Sequence, residues 1–485
     1  MSLNKSNLVK SLILLILIYF AFIIIPNGPG ITFDSITFLQ TGNNFFSNLH
    51  YVRSGPENLV FAGDTFPAYT LLATIFNQYV WLGLFLQICL FALSLYYYSK
   101  IIIANNSSVL NLLFFTSISV ILCYYNVWTE SLYGLLFLML LFNLTKPFSR
   151  KVLSTICIVI ALLCFTRLVG IVIGGSLCLT LFIRKEYKSS LAVIIVTILS
   201  FSTWLGIGFL FLGETARPMV FHPPTLLTLQ QFPSALGGFI FPRQFSEIIP
   251  ILIGSFLLLL PLFHLIRFKT KQVQLSIIEL FLILHFYGYI LFLTLSITFI
   301  DISTPIESRT LIPLFINLLV LFLYVFKREY LSFKNKRIMN VSFVFILIAS
   351  VCLNILPSLD LRKNGFGYSA KFWDTYAFPN YLKTLSSNTV YVNDKSAVLY
   401  FTDFEIQPKI LPEKFNVTSL VENPAFNQQY EKLIDTLIKN ETAYIIWISN
   451  GVLINYPTYQ ELKSDPHLKV EYDDGVCLVL SGKRA

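Results

Sequence analysis

Charge is scarce in this chain. Only 13% of its 485 residues are Asp, Glu, Lys or Arg, against about 25% in a typical soluble domain, which excludes an ordinary cytosolic enzyme. Cysteine is present but unorganised. The seven cysteines form no C-x-x-C pair and no cluster with the five histidines, so neither a disulfide framework nor a structural zinc site is expected. The motifs of several common chemistries are missing as well. The sequence holds no G-x-x-x-x-G-K-[ST] phosphate loop, no H-E-x-x-H and no G-x-S-x-G elbow. Gly237-Gly238 is too little glycine to cradle a nucleotide, which argues against a soluble nucleotide-sugar donor held in a Rossmann domain. There is no internal repeat at a fixed period and no low-complexity tract. Phe, Ile and Leu are too abundant for a disordered chain.

What is abundant is apolar sequence in long runs. Hydrophobic residues make up 55% of the chain and mean hydropathy is +0.70. Runs of the length that crosses a hydrocarbon core as a helix, about 17–25 residues, fall near 8–25, 79–98, 108–124, 127–144, 151–166, 168–183, 190–212, 246–266, 276–299, 310–326 and 338–356. The expected fold is therefore an α-helical polytopic membrane protein with about 11 transmembrane helices. The first run ends in Pro26-Asn27-Gly28-Pro29-Gly30, with no small-residue cleavage site, so an uncleaved helix is expected there.

Basic residues orient it. With the N-terminus cytoplasmic, seventeen Lys and Arg fall in the inner connections and five in the outer ones: Arg53, Arg167, Arg217, Arg243 and Arg309. This positive-inside bias turns the net charge of +9 into a statement about topology rather than about nucleic acid, which is not an expected partner. Residues 151–183 would make a helix of about 50 Å, too long for the core. Basic clusters at both of its ends predict a tight hairpin with Arg167 at the outer tip. Residues 1–356 then read as a transmembrane domain whose long outer loops, 26–78 and 213–245, lie along the bilayer surface. After residue 356 the texture changes, with 13 Lys and Arg and 15 Asp and Glu. Strand-like runs at 389–392, 397–401 and 443–449, a hairpin at 468–481 and helical patterns near 374–386 and 425–440 predict a small extracytoplasmic α/β domain over 357–485.

Only eleven acidic residues precede residue 357, and most fall in outer connections: Asp34, Glu57, Asp64, Glu130, Glu214, Glu247, Asp301 and Glu307. Ionisable groups near a bilayer are costly and therefore point to function. Carboxylates supply a general base and guanidinium forks bind phosphate, so acids and arginines at one depth are candidates for a single pocket. Each candidate also has a plain structural reading. Asp34 is a candidate base, or an N-cap for a surface helix starting at Ile36. Glu130 is a second candidate, or a first-turn acid complementing a helix dipole. Arg167 is a phosphate ligand or a snorkelling anchor. Arg309 is another, or simply the partner of Glu307. Asp64 sits where a turn would precede Phe66-Pro67, and His222, beside Pro223-Pro224, has no histidine partner. Several carboxylates together are compatible with a divalent cation, although no metal ligand set is defined and nothing demands a cofactor.

The order of these segments resembles the C-type (GT-C) integral-membrane glycosyltransferases. The likeness is to the polyprenyl-phosphate-sugar branch, which includes protein O-mannosyltransferases and the lipid A aminoarabinose transferase. Asp34-Ser35 follows the first helix in a long loop. Phe66-Pro67-Ala68-Tyr69-Thr70-Leu71-Leu72 resembles Pro-x-Tyr-x-Leu-Leu, and Thr129-Glu130-Ser131-Leu132-Tyr133 resembles Thr-Glu-x-Leu-Phe. Thr166-Arg167-Leu168-Val169-Gly170 resembles Thr-Arg-Tyr-x-Gly, and Arg309-Thr310-Leu311-Ile312-Pro313-Leu314 resembles Arg-Tyr-Leu-Leu-Pro-Leu. Asn393 to Tyr400 resembles Ser-Asn-x-Pro-x-Ala-x-Tyr. The chain departs from the pattern at Thr32-Phe33, at Leu168 and in lacking an Asp-Glu pair at 34–35.

The resemblance implies inverting transfer of a sugar from a polyprenyl-monophosphate donor to an acceptor hydroxyl on a cell-envelope glycan, lipid or protein, outside a bacterial plasma membrane. Asp34 and Glu130 would be catalytic. Arg167, Arg309, Asp64, Tyr69, His222 and Glu307 would bind substrate. A transporter or flippase of lipid-linked glycans, a polymerase or ligase using such glycans, and a non-catalytic scaffold are the alternatives. A transporter would need polar groups in mid-span, and the interiors of these runs are almost free of charge.

Overall fold

Every one of the eleven apolar runs is helical in the computed structural model, which describes residues 5–54, 59–62, 65–212, 221–271, 275–300, 304–332, 336–385, 389–415, 421–449 and 455–483. The chain opens with α1 (Lys5–Ile24), α2 (Phe33–Asn48), a short hairpin of β1 (Val52–Ser54) and β2 (Leu59–Phe61), α3 (Pro67–Phe76) and α4 (Val80–Ala104). A 3-10 turn at Val109–Thr116 leads into α5 (Ile118–Tyr125). Then come α6 (Thr129–Leu144), α7 (Arg150–Cys164), α8 (Gly170–Ile183), α9 (Tyr187–Leu212), α10 (Leu226–Gly238), α11 (Ile248–Lys271), α12 (Ile277–Phe299), α13 (Ser308–Ser332) and α14 (Lys336–Asn364).

Seven of these helices are long and apolar enough to cross a membrane, and the chain is an integral membrane protein. The other four expected spans are short. Helices α6, α7 and α8 have 16, 15 and 14 residues, or roughly 21–24 Å. The run at 108–124 is broken at Ser117, where Asn354 Oδ1 of α14 accepts the Ile118 N–H at 2.7 Å. The hairpin at Arg167 is as tight as its flanking charges require: Arg167 N–H donates to Leu163 O at 3.0 Å and Gly170 N–H to Arg167 O at 2.9 Å.

The two long connections are less loop-like than expected. The first contains α2, the hairpin and α3; the second contains α10. Helix α2 also corrects the capping assignment, because its N-cap is Thr32, whose N–H donates to Ser35 Oγ at 3.0 Å. Asp34 is thus in the first turn, with its carboxylate available for other partners.

Gly30 and Ile31 sit at the centre of a small junction of isolated β-bridges, to Asn126 and to Gly367. Gly30 N–H donates to Tyr125 O and Val127 N–H to Gly30 O, both at 3.0 Å, while Tyr368 N–H donates to Ile31 O at 2.7 Å. Gly367 has φ +69°, and a Cβ there would lie 2.0 Å from Ile31 O, so only glycine permits this approach. The junction ties the first loop to the start of α6 on one side and to the segment after α14 on the other.

The C-terminal α/β domain comprises α15 (Phe378–Lys383), β3 (Thr389–Val392), α16 (Lys395–Phe401), β4 (Lys409–Ile410), α17 (Phe426–Lys439), β5 (Ala443–Ile448), α18 (Tyr459–Lys463), β6 (Leu468–Asp473) and β7 (Cys477–Gly482). The sheet order is β4-β3-β5-β7-β6. Strand β3 is parallel to β4 and β5, and β7 is antiparallel to β5 and β6. The strand expected at 397–401 is instead α16. Its residues do not alternate apolar with polar, and Asp394 Oδ1 caps it by accepting the Ala397 N–H at 3.0 Å. Leu433 and Leu437 of α17 are buried with Ile445, Leu478 and Leu480 of the sheet.

Helices α10 and α11 meet through glycine, since a Cβ at Gly254 would lie 1.7 Å from Pro233 O. Gly254→Ala should therefore push the two apart and cost about 1–3 kcal/mol, read as a lower melting temperature in detergent. Gly206→Ala on α9, with nothing within 4 Å of the added carbon, should leave it unchanged.

Candidate active site

Five helices begin around one hollow. A cavity of about 300 Å³ is lined by Phe33 and Asp34 at the start of α2, Phe66 before α3, Thr129 and Glu130 at the start of α6, Arg167 and Leu168 before α8, and Arg309 at the start of α13. Helix N-termini carry partial positive charge, so this end of the bundle favours anions. Thr37, Phe38, Thr65 and Thr166 complete the lining.

The charged groups are knitted together. Arg167 Nη1 donates to Glu130 Oε1 at 2.7 Å. Arg309 Nη1 donates to Asp34 Oδ2, and its Nε lies 3.1 Å from Glu307 Oε1 and 3.9 Å from Glu130 Oε1. Arg309 Cζ sits 5.1 Å from the centroid of the Trp128 ring, a cation–π contact. Burial pulls the Arg167 guanidinium down, but the adjacent Glu130 carboxylate reverses that, and the net direction is upward. Burial pushes the Glu307 carboxyl up, and Arg309 offsets only part of it. The two first-loop and α6 carboxylates differ in access: the Asp34 side chain is 37% exposed and that of Glu130 only 5%.

Of the residues singled out in the sequence, Asp34, Glu130, Arg167 and Arg309 share the cavity, and Glu307 adjoins it through Arg309. Tyr69 does not line it; the ring is buried and its hydroxyl accepts from Gln87 Nε2 at 3.1 Å. His222 does not line it either, and its main-chain N–H donates to Thr298 O at 2.8 Å. Asp64 lies outside the described residues. No group of three or more His, Cys, Asp or Glu among the described residues is placed to hold a metal ion. Asp34, Glu130 and Glu307 are each engaged by a guanidinium instead. Trp128 and Thr32 were given no role from the sequence. Each stands two positions before a singled-out carboxylate, and that spacing was the available signal.

No family model matches the chain, and no curated protein matches it in sequence. Solved structures do match. The crystal structure of ArnT from Cupriavidus metallidurans bound to undecaprenyl phosphate superimposes with a TM-score of 0.57 at 11% identity, covering 99% of this chain and 98% of that one. Its apo state gives 0.55 at 11% identity, covering 98% of each. This chain has the ArnT fold. The polytopic helical architecture with a small C-terminal α/β domain, expected from the sequence, is thereby observed over nearly the whole length.

The Arg167–Glu130 pair carries a stability test. Glu130→Gln strips Arg167 of its carboxylate in a largely desolvated place, at a cost of about 2 kcal/mol. Removing both charges, Glu130→Gln with Arg167→Gln, should restore at least half of the lost melting temperature.

Proposed function

We propose that the chain is a glycosyltransferase that moves a sugar from a polyprenyl monophosphate to an acceptor hydroxyl, inverting the anomeric carbon. One observation carries this reading: carboxylates and guanidiniums from four distant segments meet in one cavity of a chain with the ArnT fold. The neighbouring ArnT structure is bound to undecaprenyl phosphate, which supports a donor of that class. The distribution of Lys and Arg favours a cavity on the extracytoplasmic side with the N-terminus in the cytoplasm, as in a bacterial plasma membrane.

The chemistry follows from access and charge. Asp34 is the general base, because it is the more exposed carboxylate and accepts the acceptor proton as that oxygen attacks. Glu130 is nearly enclosed and bonded to Arg167, so it positions that guanidinium rather than taking a proton. Arg167 and Arg309 face the bond being broken and neutralise charge growing on the departing phosphate. Glu307 holds Arg309 from the other side. Every residue that lines the cavity belongs to residues 1–356, so transfer is assigned to that part of the chain.

Two measurements test the reading. Mass spectrometry of surface glycans, lipids and glycoproteins after gene deletion should show one sugar missing from one class of acceptor. Asp34→Asn, at normal membrane abundance, should fail to restore it, with a loss of at least roughly a hundredfold. Near-wild-type restoration would remove Asp34 from the base role. An unchanged profile on deletion would remove the transferase reading altogether.

A further inference from the structure

The two carboxylates begin helices whose N-cap residues are bonded to each other. Thr32 caps α2 and Trp128 caps α6. The Trp128 indole N–H donates to Thr32 Oγ1 at 2.7 Å. Asp34 and Glu130 each lie two residues beyond one end of that bond. The face of the same indole supports the Arg309 guanidinium, and the ring packs T-shaped with Phe366, centroids 6.2 Å apart. Trp128 itself is buried, at 8% exposed, while its partners Arg309 and Phe366 are partly exposed. One ring therefore touches the cap of the helix carrying Asp34, carries Glu130 on its own helix and braces Arg309.

We propose that Trp128 is a positioning residue, setting the separation of Asp34 and Glu130 through Thr32 and the plane of Arg309 through its ring. This rests on the transferase reading of the cavity. The bond is separable from the fold. Ser35 Oγ also ties α2 to Val127 O at 3.0 Å, and the backbone bonds between Gly30 and residues 125 and 127 do the same independently. Thr32→Val keeps the shape but removes the acceptor and, with it, the hydroxyl's 3.1 Å contact to Ser35 Oγ in the α2 cap. Trp128→Phe removes the donor and leaves a ring under Arg309.

The test combines a spectroscopic signature with function. The chain has five tryptophans, so the indole N–H region of a ¹H–¹⁵N spectrum is simple, and Trp128→Phe assigns one signal by its loss. Thr32→Val should move that signal upfield, with the binding of undecaprenyl phosphate, used as the probe, kept at wild-type values and the melting temperature lowered by no more than the loss of one helix cap. In the deletion strain each variant should restore less than about one-tenth of the missing glycan, since a displacement of about 1 Å costs on the order of a hundredfold. The double variant should do no worse than the poorer single one, because both remove the same bond.

An indole signal that stays in place overturns the proposal, as does wild-type restoration by either variant or lost probe binding in Thr32→Val. A deletion strain lacking no glycan overturns the transferase reading and this role together. In that case the indole shift still reports the bond between caps, so the two failures are told apart.

Discussion

Arg309 reaches three carboxylates, two of which no local stretch of chain could bring to it. Its guanidinium holds Asp34 from α2 and Glu307 beside its own helix, and approaches Glu130 from α6. Withdrawing these groups from water is costly unless each finds an opposite charge. Arg167 completes the set by pairing with Glu130. Three carboxylates and two guanidiniums can share this half-enclosed space only because each pairing supports the next. The cavity is what remains between them.

Helix geometry places those charges. Five helix N-termini open onto the hollow, so their dipoles add positive potential where the carboxylates sit. The short helices α6 and α8 and the hairpin at Arg167 allow this. The junction at residues 29–31 then locks the first loop against the start of α6 and the segment leading to the C-terminal domain. That domain is consequently anchored within a few residues of Asp34, and α16 rests on α2.

Much of this was legible beforehand. The eleven helical runs followed from hydropathy, the hairpin from basic residues at both ends of a run too long to be one span, and four of the cavity groups from the rarity of charge near the bilayer. Failures have local causes. Residues 397–401 are apolar and short, a pattern that strand and helix share, and the Asp394 cap decided for helix. Asp34 and Thr32 are both good capping residues two positions apart, and the indole of Trp128, distant in sequence, favoured Thr32. Tyr69 was singled out by motif alone, and its hydroxyl is satisfied by Gln87 within the core.

By itself the sequence determined that this is a multi-spanning membrane protein with a polar C-terminal α/β domain, and which few ionisable groups would repay attention. Composition and run length suffice for that, because an apolar solvent penalises each exposed polar group separately. Which of those groups meet was decided only by the tertiary structure. Asp34 and Arg309 are 275 residues apart, and the electrostatic gain of pairing them depends on helices packed by shape, which no local pattern encodes.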